Sequence, residues 1–371
     1  VALMTNSMLT EGAGEWNADQ IAENIESVCA ELSVDSLRDM SIVSLRSLTE
    51  SKALNKAMDV MAAVIARPTF VQSALDRNLQ ALKILLRQEQ QSPSDIASKA
   101  FYRAMYNDHP YAHPSSGTEE SLKDITRDAV AVFHKKYYVA RNATIAIVGA
   151  VNRQQAAELA EKAVSGLPAG EHAPVLPAVN SKKATLRDEI EFPSTQAHLY
   201  MGLPVLSRTD ADYFPLYVGN HELGGSGLVS KLSVEVREKR GLAYSSYSYF
   251  SPMRGPGPFM IGLQTKNSQA KQAEKVVRQT LLNYMKNGPT DEELTRAKQN
   301  ITGGFPLRVS SNKKIISYLA MIGFYDLPLD YLDSFVGKVN AVTADQIKDA
   351  FNRRVQLENL STIVVGQLAE E

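Results

Sequence analysis

Four stretches of this chain carry apolar residues at three- and four-residue spacing, and that period predicts long helices at 71–90, 94–106, 291–305 and 311–325. A shorter helix is predicted around the stripe Ile21, Ile25, Val28 and Leu32, opened by Asn17 and Gln20 in capping-box spacing. Cys29, beside that stripe, reads as a small buried hydrophobe. Alternation of serine with aromatics predicts a strand at 244–250; G-P-G-P at 255–258 turns the chain, and 259–265 returns as the partner strand. Just upstream, 226–239 predicts a helix that stops at Gly241.

The pattern repeats along the chain. I-T-R-D-A-V-A-V-F at 125–133, then Asn142 and A-T-I-A-I-V-G ending at Gly149, is matched by V-T-A-D-Q-I-K-D-A-F at 342–351, then Asn359 and L-S-T-I-V-V-G ending at Gly366. In each copy a threonine opens a helix, an aromatic closes it and an apolar strand follows; Thr343 and Gln346 add a capping box. Each copy is preceded by one pair of the long helices. The chain therefore reads as an α+β fold of two homologous, sandwich-like α/β domains related by internal duplication, each with helices packed on one face of a mainly antiparallel sheet. The expected domains are 1–165 and 186–371, joined by a linker at 166–185. Its 166–183 portion is rich in Pro and Gly, lacks a period and reads as exposed. Between two such domains a cleft is the default place for a ligand.

Composition removes several function classes. The 40 basic and 41 acidic residues leave a net charge of -1, which offers no field to gather nucleic acid or an anionic membrane. No apolar run reaches the roughly 18 residues needed to span a bilayer, so membrane insertion is not expected. A single cysteine excludes an intramolecular disulfide and leaves the redox compartment open. Val1 stands at the start, with helical apolar spacing under way at Leu3 and Met4, so the chain reads as beginning inside a domain, with any targeting segment upstream of it.

The richest chemistry lies at V-R-E-K-R-G-L-A-Y, 236–244, where a helix gives way to a strand. Arg237 and Tyr244 flank that junction, and both donate hydrogen bonds without ionising, so together they suit a peptide carbonyl or the oxyanion formed from it. The structural alternative is that Arg237, Lys239 and Arg240 complement a helix C-terminus and that Tyr244 is core. The tyrosines Tyr247 and Tyr249 read as an ordinary sheet face, and an edge strand here could add an extended peptide to the sheet. The histidines offer no metal cluster. His109 and His113 have i, i+4 spacing, but Pro110 and Pro114 oppose the helix that would align them, and His221-Glu222 lacks a second ligand at metal spacing. No G-x-S-x-G elbow, phosphate loop or activated-cysteine signature is present.

The chain resembles the pitrilysin, or insulinase-like, zinc metallopeptidases, the inverzincins, in the branch of short subunits similar to the mitochondrial processing peptidase and its bacterial relatives. The resemblance spans nearly the whole chain. It is carried by M-L-T-E-G-A-G at 8–14, H-P-Y-A-H-P-S-S-G at 109–117, the 224–244 block and both repeat tails. It implies that Arg237 and Tyr244, in the family's R-x6-Y arrangement, hold the substrate from the domain opposite the zinc. Active members carry H-x-x-E-H on the first helix and a distant glutamate as third ligand. Aligning Gly12 with the glycine after that motif places Leu3, Asn6 and Ser7 where His, Glu and His are expected, and Gln88 near the distant glutamate. None of these is a useful zinc ligand or general base.

The resemblance thus implies an inactive, zinc-motif-lacking member: a non-catalytic, substrate-binding partner subunit of a heteromeric zinc metalloendopeptidase acting on peptides or unfolded segments. No cofactor is expected in this chain, and zinc is expected in a homologous partner subunit, in a heterodimer or, for this chain in isolation, a homodimer. The alternatives are a peptide-binding or structural scaffold without proteolytic role, and a zinc metallopeptidase in its own right. The bacterial periplasm or cell envelope is the compartment the resemblance implies, with the cytoplasm as the alternative.

Overall fold

A computed structural model describes residues 1–180 and 186–367; the part of the expected linker at 181–185 lies outside them. From the N-terminus the chain forms helix α1 (Ala2–Ser7), a small hairpin of β1 (Gly12–Ala13) and β2 (Trp16–Asn17), then α2 (Ala18–Glu26). The hairpin β3 (Glu31–Ser36) and β4 (Ser41–Arg46) follows, then helices α3 (Ser51–Ala66), α4 (Gln72–Glu89), α5 (Pro93–Tyr106), α6 (Arg127–Tyr137) and α7 (Arg153–Val164). The second half comprises β5 (Arg187–Glu191), β6 (Gln196–Leu206), α8 (Tyr213–Asn220), α9 (Lys231–Ser233), β7 (Ala243–Phe250) and β8 (Gly257–Lys266). It ends with α10 (Ala270–Asn287), α11 (Asp291–Arg308), α12 (Asn312–Phe324), α13 (Tyr331–Ala341), α14 (Ala344–Arg354) and β9 (Ser361–Gly366).

The long helices fall where the apolar period places them, and local chemistry starts them. Thr126 caps α6, while Asn17, Thr290 and Thr343 each form a reciprocal capping box with the third residue of α2, α11 and α14. Cys29 departs from expectation: it is exposed. Helix α2 ends at Glu26, and Cys29 turns into the left-handed region at φ 52°, with Ala30 N–H closing onto the Ile25 carbonyl at 3.1 Å, so its side chain leaves the Ile21–Ile25 stripe.

Two compact units form, each drawing a helix from the other half of the chain. One comprises 1–88, 114–175 and 311–324; the other comprises 89–113, 176–310 and 325–371. The duplication divides the sequence near 165 and 186, but the second helix of each long pair, α5 and α12, belongs to the unit built mainly from the opposite half.

In the second unit the sheet order is β5-β9-β6-β8-β7, antiparallel except for β5 against β9. Phe351 of α14 packs edge-on against Phe250 and Phe259 of one face, at centroid distances of 5.9 and 6.4 Å. Helix α5 covers the other face, with Ala97, Phe101 and Met105 on Tyr200, Met260, Ile363 and Val365. The helices of the local repeat thus cover one face, as expected, and the remaining face is closed by a helix from the first half. Leu176 and Val179 of the expected linker pack on this same cluster, and its earlier part is held too, with Ala140 and Arg141 N–H donating to the Pro168 and Ala169 carbonyls at 2.9 and 3.2 Å, so the segment is anchored rather than wholly exposed.

The first unit is helical around two hairpins. Ile21, Ile25, Ala57, Val60 and Val64 make one core, and Met4, Met8, Leu75, Leu82 and Leu86 another. The repeat predicts a strand after Asn142, but 143–148 forms no ladder among the described residues and Ile145 is 42% exposed. Its counterpart β9 is buried at every position because β5 and β6 flank it.

Candidate functional site

Helix α1 carries the positions that the resemblance gives to zinc. Asn6 is buried at 1% exposure, and its carboxamide is fully engaged: it donates to the Asp35 carbonyl at 2.7 Å and Ser36 Oγ at 3.1 Å, and accepts from the Tyr138 hydroxyl at 3.0 Å. Burial pushes the Tyr138 phenol above its usual range, so it stays a neutral donor. Ser7 Oγ donates to the Met4 carbonyl at 3.0 Å, and Leu3 packs at the margin of the Met4, Met8 and Leu82 cluster. Helix α4 faces that cluster with Leu75, Leu79, Leu82 and Leu86; Gln88 is exposed in its last turn, outside the cluster. Zinc requires imidazole, thiolate or carboxylate ligands. A leucine, a saturated carboxamide and a serine turned onto its own helix do not fit it. Among the described residues no three His, Cys, Asp or Glu side chains gather as a metal site.

The Arg237–Tyr244 segment is built differently from the continuous helix expected over 226–239. Ser230 breaks it: its Oγ accepts from Ser233 N–H at 3.3 Å to start α9, which continues as a wide turn to Glu238. The stop at Gly241 holds, at φ 61°. Gly241 N–H donates to the Arg237 carbonyl at 2.8 Å and Leu242 N–H to the Val236 carbonyl at 2.9 Å, so Arg237 and Tyr244 bracket one closed turn. Tyr244 sits in a β-bulge, between the pairs Ala243–Thr265 and Ser245–Gln264, and is 79% exposed. Glu235 binds both Lys239 and Arg240, each at 2.6 Å. Those two cations serve the turn; Arg237 is exposed and makes no side-chain hydrogen bond or ion pair among the described residues. Tyr244 is solvent-facing, not core.

Strand β7 lies at the sheet edge, yet that edge is partly occupied. The bond from Ser251 N–H to the Pro258 carbonyl, 2.9 Å, sets an alternation in which Ser246 and Ser248 turn their backbone groups away from β8. Asn220 meets the edge at Ser248, donating to its carbonyl at 2.9 Å and accepting from its Oγ at 2.6 Å. Gly224 lies so close that a Cβ there would stand 2.3 Å from Ser248 Oγ and 2.4 Å from Ser248 N. The expected addition of a peptide along the whole of β7 is therefore blocked at Ser248. On the opposite side Tyr247 and Tyr249 stack at 6.1 Å as ordinary sheet-face residues, and burial raises the Tyr247 phenol to about 12.

Sequence reasoning missed two features of this region: the Asn220–Ser248 pair, and the burial of Glu222 near Glu293, since His221-Glu222 was weighed only as a metal site. The carboxyl of Glu222 is buried beside Glu293, and burial first and that neighbour second raise it above the usual carboxylate range. Glu293 caps α11 and pairs with Lys231. The double glycine was the available signal for the close approach at Ser248; nothing local announced Glu222.

Two family models match this chain: "Insulinase (Peptidase family M16)" over 1–119 and "Peptidase M16 inactive domain" over 124–301. The chain belongs to peptidase family M16. A crystal structure of a peptidase M16 inactive domain from Pseudomonas fluorescens is 36% identical, with a TM-score of 0.96 over 100% of this chain and 89% of that one. An uncharacterized zinc protease of Bacillus subtilis, YmxG, is 27% identical over 92% of this chain and 82% of its own length. A Helicobacter pylori relative described as a non-peptidase homolog is 24% identical over 99% of this chain and 84% of its own length. The M16 assignment agrees with the resemblance drawn from the sequence and with the two-unit α+β architecture.

Proposed function

We propose that this M16 chain is a non-catalytic, substrate-binding subunit of a heteromeric zinc metalloendopeptidase that acts on peptides or unfolded segments. The observation that carries this reading is the pairing of an incapable zinc position with an available donor pair. Asn6 is saturated by Asp35, Ser36 and Tyr138, whereas Arg237 and Tyr244 stand exposed on one closed turn. A homologous partner would supply zinc and H-x-x-E-H. Arg237 would hold a carbonyl near the scissile bond, and Tyr244 would donate to the oxyanion formed when water attacks it. The assembly would work in the bacterial periplasm or cell envelope.

The test is peptide hydrolysis by this chain, by its zinc-bearing relative and by the mixture, with metal quantified in each. Activity confined to the mixture, and reduced ~10²-fold by Arg237→Ala or Tyr244→Phe, is the expected result. Zinc-dependent hydrolysis by this chain alone, or equal activity with and without it, overturns the reading.

A further inference from the structure

Arg208, just beyond β6 in the second unit, has no acidic partner. Its guanidinium lies over the Tyr213 ring at 5.8 Å and over the Tyr325 ring at 5.4 Å, yet among the described residues its side chain makes no hydrogen bond or ion pair. Nε is buried with nothing to donate to, which is costly for a charged group. The residue as a whole is half-buried, so the terminal nitrogens keep a path to solvent. The acids nearest in sequence are engaged elsewhere: Arg354 binds Asp210 at 2.8 Å, and Arg353 and Arg354 bind Asp212 at 2.7 and 2.6 Å. The two rings are fixed in place. Tyr213 stacks on Tyr217 at 5.7 Å with the planes 4° apart, the Tyr217 hydroxyl accepts from Arg308 at 2.7 Å, and Tyr325 is buried. Arg208 is itself held by its backbone, whose N–H donates to the Met253 carbonyl at 2.8 Å, and the parallel bridge between Ser207 and Met253 sets Arg254 beside it. Arg254 reaches Asp326, the residue after Tyr325, at 3.5 Å. Two cations thus converge on Tyr325 and Asp326 with one carboxylate between them.

We propose that Arg208, seated against Tyr213 and Tyr325, binds a carboxylate of a peptide, either its C-terminal group or an acidic side chain. The site uses no group of the Arg237–Tyr244 turn and does not rest on the substrate-binding reading above. The ligand class follows from shape and charge. A guanidinium presents parallel N–H donors in one plane, which match the two oxygens of a carboxylate, and it offers no acceptor. Arg254 already has Asp326, so the charge left for a ligand is that of Arg208, which suits a monoanion better than a doubly charged phosphate. Because the rings and the backbone bond hold the arginine before any ligand arrives, binding orders one side chain very little, and the fork acts as a preformed contact.

The experiment measures binding of fluorescent Gly/Ser/Ala decapeptides to this chain by anisotropy. One peptide has a free C-terminus, one is amidated, and one is amidated with a central Asp. A carboxylate-bearing peptide is expected to bind roughly tenfold more tightly than the uncharged amide, the gain from one charge-assisted bidentate contact, and the peptide that does so identifies the source of the carboxylate. Arg208→Gln removes that preference, and Arg208→Lys, which keeps the charge without the fork, reduces it severalfold. Arg237→Ala leaves it in place. An unchanged thermal melt shows each variant folded, and if Arg208→Gln does not fold, Arg208→Lys decides. Equal affinity for the three peptides overturns the proposal, as does a preference that survives Arg208→Gln or disappears in Arg237→Ala. Displacement by inorganic phosphate at roughly tenfold lower concentration than by acetate, at matched ionic strength, assigns the site to phosphate and overturns the carboxylate.

Discussion

Gly224 gives the sharpest test of the packing beneath the Arg237–Tyr244 segment. Substituting alanine adds one methyl group 2.3 Å from Ser248 Oγ, 2.4 Å from Ser248 N and 2.9 Å from Leu232 Cδ1, all below the 3.0 Å that real Cβ contacts respect. Leu232 can rotate, but Ser248 N belongs to a strand fixed by β8, so the segment carrying Gly224 must move outward. Overpacking of this kind costs about 1–3 kcal/mol. The same movement pulls Asn220 from its two bonds to Ser248, 2.6 and 2.9 Å long, each contributing about 1 kcal/mol. The expected loss is therefore about 3–5 kcal/mol, a melting temperature lower by several degrees, read by calorimetry or circular dichroism. Gly225→Ala is the internal control: its nearest neighbours are Asn220 Nδ2 and O at 3.1 Å, and a shift of a few tenths of an ångström accommodates it at about 1 kcal/mol or less. If Gly224→Ala melts with the wild type, or no lower than Gly225→Ala, the close approach does not hold this edge.

Removing the amide in Asn6→Ala deletes its bonds to the Asp35 carbonyl, Ser36 Oγ and the Tyr138 hydroxyl in a buried site and should destabilise the protein by about 2–3 kcal/mol in urea titration. Rebuilding the motif as Leu3→His/Asn6→Glu/Ser7→His should yield no stoichiometric zinc by elemental analysis, because α4 offers leucines to that cluster. Arg353, then Arg354, hold the Asp212 carboxyl below its usual range. Its stabilisation is thus present above the unfolded carboxylate range and fades as pH falls through the lowered value, and the urea-midpoint gap between wild type and Asp212→Asn should shrink toward acid pH. Glu222 has the opposite sign. Its raised value favours the protonated form in the folded protein, so that contribution disappears as pH rises through it, and Glu222→Gln should gain on the wild type toward neutral pH.

Local chemistry was readable from the sequence because it depends on neighbours a few residues apart. The capping boxes at Asn17 and Thr343, the stop at Gly241 and the four long amphipathic helices all satisfy backbone or apolar demands within one or two turns. That Leu3, Asn6 and Ser7, the positions the resemblance gives to the zinc motif, are not zinc ligands needs only residue identity to read. Tertiary structure decided the rest. An apolar stripe states that a helix must be covered but not by which sheet, so α5 and α12 could not be assigned across the duplication. The same sequence pattern gives a buried strand at Ser361–Gly366 and no ladder at 143–148, because strand formation requires partners that local sequence does not specify. Cys29 leaves the core because a single left-handed residue redirects it, and Glu222 titrates high because folding buries it and, secondly, sets it near Glu293, far along the chain.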